Sequence, residues 1–255
     1  MPINNIKTFL FAILLFFAGN GFAQKNIILS KNLAANSKPL KVKMGTQKMG
    51  EIWNFKFGDY AVTDSKMAWT TTTSKSNLFN TKTESKSTDK FAFTLSNKTG
   101  DYAKVNAANN FEIKTLRETE LFANFYISDD ELLLDSQNFM AFININQNTS
   151  ETWTLYINVT TGSTVDDGGT AFITNGERKI FIISTSSNKN DTDSRMFPAL
   201  GYEFFENEQA VCALQYFGGG AFGMNKNIVW IHDNLDSEMK LILAAAMTSV
   251  LQLKN

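Results

Sequence analysis

The sequence predicts a mainly β fold, an antiparallel barrel of about twelve strands or a sandwich, with one C-terminal α-helix buried within it. Three observations lead there. Apolar and polar residues alternate with a period of two along most of the chain, the mark of strands with one buried face. The segments between are rich in Asn, Ser, Thr, Asp and Gly, which is hairpin and loop chemistry, and only three prolines occur among 255 residues, so little interrupts a ladder. From Asp236 onward the period becomes helical, and apolar residues occupy nearly the whole circumference.

In chain order, residues 1–24 read as a cleavable secretory signal. A short polar start carries Lys7, and Phe9 to Ala18 is apolar but too short for a hydrocarbon core of ~30 Å. Gly19-Asn20-Gly21 then breaks the run, and small residues precede a cut after Ala23 or Gln24. No cysteine at the cut offers a site for acylation. The expectation is an exported protein, periplasmic or extracellular, with a single β-rich domain over residues 25–255 and no stable membrane span after cleavage.

The clearest strands are Trp153 to Val159, with Trp153, Leu155, Ile157 and Val159 on one face, then Phe91 to Leu95 and Leu40 to Met44. Further candidates are Ile52 to Phe57, Met67 to Thr73, Phe111 to Leu116, Leu121 to Ile127, Phe139 to Ile145, Ala171 to Thr174, Lys179 to Thr185, Gln209 to Phe217 and Ile228 to His232. The longest polar stretch, Ser74 to Asp89, has the length of a linker, but its Thr/Lys/Ser alternation fits a long exposed hairpin. No repeat of fixed period occurs.

The chain closes on a helix over residues 236–252. Asp236 or Ser237 supplies the cap, Glu238 sits near the positive end of the dipole, and Met239, Leu241 to Met247, Val250 and Leu251 leave no wide polar face. At ~1.5 Å per residue it is about 25 Å long, enough to run through a domain. Lys240, Thr248, Ser249 and Gln252 argue against membrane insertion, and a terminal helix is not the closing strand of an outer-membrane barrel.

Composition narrows the partners. Loss of the signal removes one base and no acid, leaving 23 bases against 25 acids and a net charge of −2, which gives no electrostatic case for nucleic acid or an anionic membrane. One cysteine, Cys212, excludes an internal disulfide, and its apolar neighbours predict a buried inert thiol. Stability must come from core packing.

A mainly β chain closing on an all-round apolar helix resembles the tubby-like, phospholipid-scramblase and LURP-one-related superfamily, the match lying in Asn234-Leu235-Asp236-Ser-Glu-Met239-Lys240-Leu-Ile-Leu-Ala244-Ala-Ala-Met247. That resemblance implies about twelve antiparallel strands wrapped round a hydrophobic C-terminal helix, and a lipid or other hydrophobic molecule as ligand. Nothing corresponds to the superfamily's basic phosphoinositide site or to a scramblase calcium segment.

Catalytic patterns dissolve on inspection. Gly218, Gly220 and Gly223 spell G-x-G-x-x-G, but a strand follows where a dinucleotide site needs a helix. Ser237-x-x-Lys240 and Lys98-Thr99-Gly100 occur in the wrong order for penicillin-recognising enzymes and read as a cap and a turn. His232 is the only histidine, so no site needing two can form, and no G-x-S-x-G serine awaits it. With one His and one Cys, the chain is poorly equipped for nitrogen and sulfur metal ligation. Asp166/Asp167 and Asn188, Asn190, Asp191 and Asp193 offer oxygens without a complete calcium loop. Glu203, Glu206 and Glu208 form the densest carboxylate cluster, Glu203 on a strand and the other two flanking Asn207 in a hairpin turn, read as a turn with exposed acids. Trp53, Trp69 and Trp153 can stack on sugars or fill a β core. No cofactor or metal site is expected. The functional expectation is a non-enzymatic binding or structural module of the cell envelope. The alternatives are a secreted hydrolase of unidentified carboxylates and a hydrophobic-ligand barrel of the tubby-like kind.

Overall fold

The computed structural model of the protein describes residues 26–68, 71–76, 83–109, 137–146, 148, 151–159, 171–188, 198–220 and 224–254, with backbone alone for 71–76, 83–88, 137–138 and 159. A short helix α1 (Lys31–Ala35) precedes fourteen strands: β1 (Leu40–Lys41), β2 (Lys43–Met44), β3 (Phe55–Phe57), β4 (Tyr60–Met67), β5 (Thr71–Ser76), β6 (Thr83–Ser96), β7 (Tyr102–Asn109), β8 (Gln137–Ile145), β9 (Trp153–Val159), β10 (Ala171–Thr174), β11 (Lys179–Ser186), β12 (Leu200–Glu206), β13 (Gln209–Phe217) and β14 (Ile228–Ile231). Helix α2 (Ser237–Lys254) ends the series.

Every ladder is antiparallel, and from β6 to β14 neighbours in sequence are neighbours in the sheet; thirteen strands follow one another in a nearly closed barrel from β1 round to β2. The seam is one short segment. Leu40 and Lys41 pair with Val229 and Ile228, and Val42 donates to the Asn227 carbonyl. Lys43 and Met44 then pair with Lys56 and Phe55 on the opposite edge. The predicted strand Leu40 to Met44 is thus divided at Val42, because its two halves serve two different neighbours. Taken as a single stave, it makes the barrel twelve-stranded, a barrel and not a sandwich.

β5 carries on from β4 along β6 with Thr71 opposite Thr88 and Ser76 opposite Thr83, while the β6–β7 ladder begins at Asp89. Residues 71–76 and 83–88 therefore form a two-stranded ribbon, the hairpin pairing that the alternation predicted. The expected strand Met67 to Thr73 breaks between β4 and β5, and Ile52 to Phe57 shortens to β3. Three strands went unpredicted or only implied: β4, β7 and β12. In β7 the inward residues are Ala103, Val105 and Ala107, too small to register as an apolar stripe. β12 carries Gly201 and Glu203 in its middle, which obscures the alternation. The candidates at 111–116 and 121–127, like residues 1–24, lie outside the described residues.

The alanines of β7 have a reason. An eight-stranded barrel is filled by its own side chains, and width grows with strand number, so twelve staves leave room that must be occupied. Helix α2, about 10–12 Å across with its side chains, occupies it. Met239 and every residue from Leu241 to Leu251 are buried, and the helix packs along β6, β7, β8, β13 and β14. Ala244, Ala245 and Ala246 slim it over more than half its circumference, and Ala103, Ala107 and Ala141 on the wall let the backbones approach. The buried Thr248 and Ser249 hydroxyls donate to the carbonyls of Ala244 and Ala245 at 2.8 and 3.0 Å, so neither polar group is orphaned. Each large side chain so enclosed contributes roughly 1.5–3 kcal/mol.

Both helix ends are fastened. Asp236 Oδ1 accepts the Met239 N–H at 2.7 Å, which settles the cap, and Lys240 Nζ donates to the Asp233 carbonyl at 2.6 Å. At the far end Gln252 Oε1 accepts the Trp53 N–H at 3.3 Å.

A second apolar cluster lies outside the barrel. Residues 26–36, including α1, form a strap whose Ile27 and Leu33 cover Ala210, Ala213, Ile228 and Trp230 on the outer wall. Gly201 permits this close approach, since a Cβ there would stand 2.9 Å from Ile27 Cδ1 and closer still to the β13 backbone.

The α2 amides from Leu241 to Leu251 are expected to exchange among the slowest in the protein by hydrogen-exchange mass spectrometry. Leu243→Ala should cost about 2–5 kcal/mol in urea unfolding and Asp236→Ala about 1 kcal/mol. Early exchange of α2 would show that it does not hold the barrel together.

Candidate functional site

With the lumen filled, a concave surface among the described residues lies outside, between two hairpin tips. The β10–β11 turn is organised by Asn175, whose Oδ1 accepts the N–H groups of Glu177 and Arg178 at 3.2 and 2.8 Å, and by Thr174, whose hydroxyl donates to the Arg178 carbonyl at 2.7 Å. The β12–β13 turn places Asn207 and Glu208 at φ 47° and 64° between the paired Glu206 and Gln209, the two-residue hairpin geometry whose twist matches the strands. Asn suits that left-handed backbone and Glu does not, so Glu208 is strained.

Between the tips lies a half-open groove of ≈ 730 Å³ lined by Glu177, Arg178, Lys179, Phe181, Ile183, Phe205, Glu206, Asn207 and Glu208. Its floor is apolar and wet: Phe181 is 51% exposed and Ile183 50%. Phe181 pairs across the ladder with Phe205 on one side and Phe172 on the other, Phe172 pairs with Tyr156, and Tyr156 pairs with Met140. One apolar row therefore crosses the outer face from β8 to β12. Met140 and Tyr156 are buried at one end, the strap covers the other, and the row opens to water at the groove.

The charged rim is partly self-satisfied. Arg178 donates from Nε and Nη2 to the two carboxylate oxygens of Glu206 at 2.7 and 2.8 Å, with its guanidinium 5.5 Å from the Trp153 ring centroid. Hydrogen bonding to the Glu206 carboxylate holds the Arg178 guanidinium above its already high range. Lys179 Nζ lies 4.3 Å from the Phe172 centroid and 5.4 Å from that of Phe181. Glu177 and Glu208 are exposed and have no ion-pair partner among the described residues.

The predicted carboxylate cluster is dispersed. Glu206 sits under the Arg178 fork and Glu208 at the turn tip. Glu203 is buried, not exposed as the turn reading held, because the strap lies over it: its Oε1 accepts the Ser30 N–H at 2.8 Å. Nearby, the Ile27 N–H donates to Gln215 Oε1 and the Ile28 N–H to the Ser186 carbonyl. Burial pushes the Glu203 carboxyl up, opposed in part by its bonds to Ser30.

The other candidates resolve individually. Gly218, at φ 65°, and Gly220 belong to the β13–β14 loop, where the Gly218 N–H donates to Asn225 Oδ1; Gly223 lies outside the described residues. Ser237 opens α2. Lys98-Thr99-Gly100 is a turn in which Asn97 Oδ1 accepts from Thr99 and Asp101, and Lys98 pairs with Asp59. His232 Nδ1 accepts the Asn234 N–H at 3.2 Å at the end of β14. Cys212 is fully buried, its thiol pushed well up by desolvation. Trp153 is buried core, with its indole N–H donating to Glu151, and Trp53 is half-buried against the barrel interior. Trp69, Asp166, Asp167, Asn190, Asp191 and Asp193 lie outside the described residues, and Asn188 closes a turn through Ser186 Oγ. Among the described residues no three His, Cys, Asp or Glu gather as metal ligands, and no helix is long and apolar enough to cross a membrane.

Sequence reading missed the groove floor, although a signal existed: Lys179-Ile-Phe-Ile-Ile183 places apolar residues on both faces of an antiparallel strand, which an outer face washed by water does not require. Comparison with family models, with curated proteins and with solved structures finds no match.

Since burial favours the neutral Glu203 carboxyl in the folded state, stability is lost as pH rises through that raised value. Glu203→Gln keeps an acceptor for Ser30 and escapes the loss, so its stability relative to the parent should increase as pH rises from about 4, the ordinary range of a glutamate carboxyl, toward neutrality. Urea midpoints measured across that range test this, and a constant difference would contradict it.

Proposed function

We propose that the chain is an exported, non-enzymatic binding or structural module of the cell envelope that meets its partner on the outer barrel wall over β11 and β12. One observation carries this reading: α2 fills the lumen, while the outer apolar row is covered at both ends and left open at Phe181, with Ile183 exposed beside it. Apolar surface held open in a groove with a polar rim is the usual form of a contact site. A hydrolase is disfavoured because the three candidate acids are respectively buried beneath the strap, engaged through both oxygens, and isolated on a turn tip. Glycoside hydrolysis by a carboxylate pair needs two such groups across one cleft.

A second reading, a tubby-like barrel for a lipid or other hydrophobic molecule, is supported by the barrel wrapped round a C-terminal helix. With α2 in the lumen, such a ligand too would have to use the outer wall. Native mass spectrometry of the purified protein distinguishes the two: a co-purified lipid favours the second.

Phe181→Ser combined with Ile183→Ser should abolish most of the fluorescence enhancement of the hydrophobic dye bis-ANS while shifting stability by only about 1 kcal/mol. Undiminished dye binding would place the contact surface elsewhere. Glycan and ester panels should show no hydrolysis, and activity abolished by one Asp or Glu substitution would overturn the non-enzymatic reading.

A further inference from the structure

Resting on the outer-wall reading, we infer that the groove takes a polypeptide segment in which apolar side chains are flanked by lysine or arginine. The floor sets the apolar requirement, since Phe181 and Ile183 keep half their surface in water and gain by covering it. The rim sets the charge. Of its three carboxylates, Glu206 is taken by Arg178, whereas Glu177 on one hairpin tip and Glu208 on the other stand exposed and without an ion-pair partner among the described residues, and the remaining cation of the lining, Lys179, is drawn over the Phe172 and Phe181 rings, so the balance stays acidic. An apolar side chain seated between the tips brings its flanking residues toward those two carboxylates, where cations are complementary and acids are repelled.

Other occupants fit less well. A pyranose would stack on an aromatic face, but Lys179 already lies over the Phe172 and Phe181 rings. An anionic membrane meets the same acids without a basic patch to offset them. A second copy of the chain brings an identical acidic rim to the contact.

The test uses two synthetic peptides, one alternating leucine with arginine and the other leucine with glutamate, followed by fluorescence anisotropy on the purified protein. The basic peptide should bind roughly three- to tenfold tighter, with the preference weakening as salt is raised. Glu177→Gln with Glu208→Gln should erase the preference while leaving residual affinity for both peptides. Phe181→Ser with Ile183→Ser should remove both. These positions are exposed, and a cooperative urea transition with stability within about 1 kcal/mol of the parent confirms that each variant is folded. Equal affinity for the two peptides, or a preference that survives the carboxamide variant, overturns the inference while leaving the groove as the contact surface. Binding of neither peptide also overturns it, and the groove itself then stands or falls on the dye experiment.

Discussion

The constraint on which this structure depends is the filling of the barrel lumen. Twelve staves enclose more volume than their own side chains can occupy, and an empty apolar lumen would forfeit contacts along the entire inner wall. Helix α2 resolves this, and other features follow from it. The wall is lined with alanine on β7 and β8 where the helix packs, the helix carries three consecutive alanines, and its two buried hydroxyls bond back to their own backbone. Wall and helix each supply the surface the other needs, so neither has an apolar face satisfied alone. The narrow seam at Leu40–Met44 is tolerable for the same reason: Leu40 and Val42 pack on the common core, so the closure does not rest on ladder hydrogen bonds alone.

Once the interior is sealed, chemistry moves to the outer wall. That wall is not uniformly polar. An apolar row crosses it, and the chain covers the row with its own strap on one side, anchored by backbone N–H bonds to Glu203 and Gln215. Burying a carboxylate there is costly, and the bond from Ser30 offsets only part of that cost. Where the cover stops, the hairpin tips stand on either side of Phe181 and Ile183. The groove is thus a consequence of cover left off between two short turns.

The fold was largely legible because it rests on local periodicity. The alternation of Trp153 to Val159, Ala171 to Thr174 and Gln209 to Phe217 marked strands that appear with those bounds, and the all-round apolar stretch after Asp236 marked a helix that had to be enclosed. β7 escaped because alanine and asparagine carry weak strand preference, and its alanines are chosen by a helix more than a hundred residues away. The carboxylates show the reverse case. Glu203, Glu206 and Glu208 are close in sequence, yet a strap from the start of the described chain buries the first, a fork from the neighbouring hairpin holds the second, and the third is left on a strained turn.

By itself the sequence determined the class of the fold, the position of the helix with Asp236 or Ser237 as its cap, and the burial of Cys212, since each follows from the pattern or chemistry of adjacent residues. Only the tertiary structure decided that the sheet closes as a barrel, that α2 occupies its lumen, that Glu203 is covered, and that Phe181 and Ile183 are not. Those outcomes depend on which distant segments meet. Period-two alternation specifies that a strand has two faces, but what lies against each face is fixed by long-range packing, which no local pattern encodes.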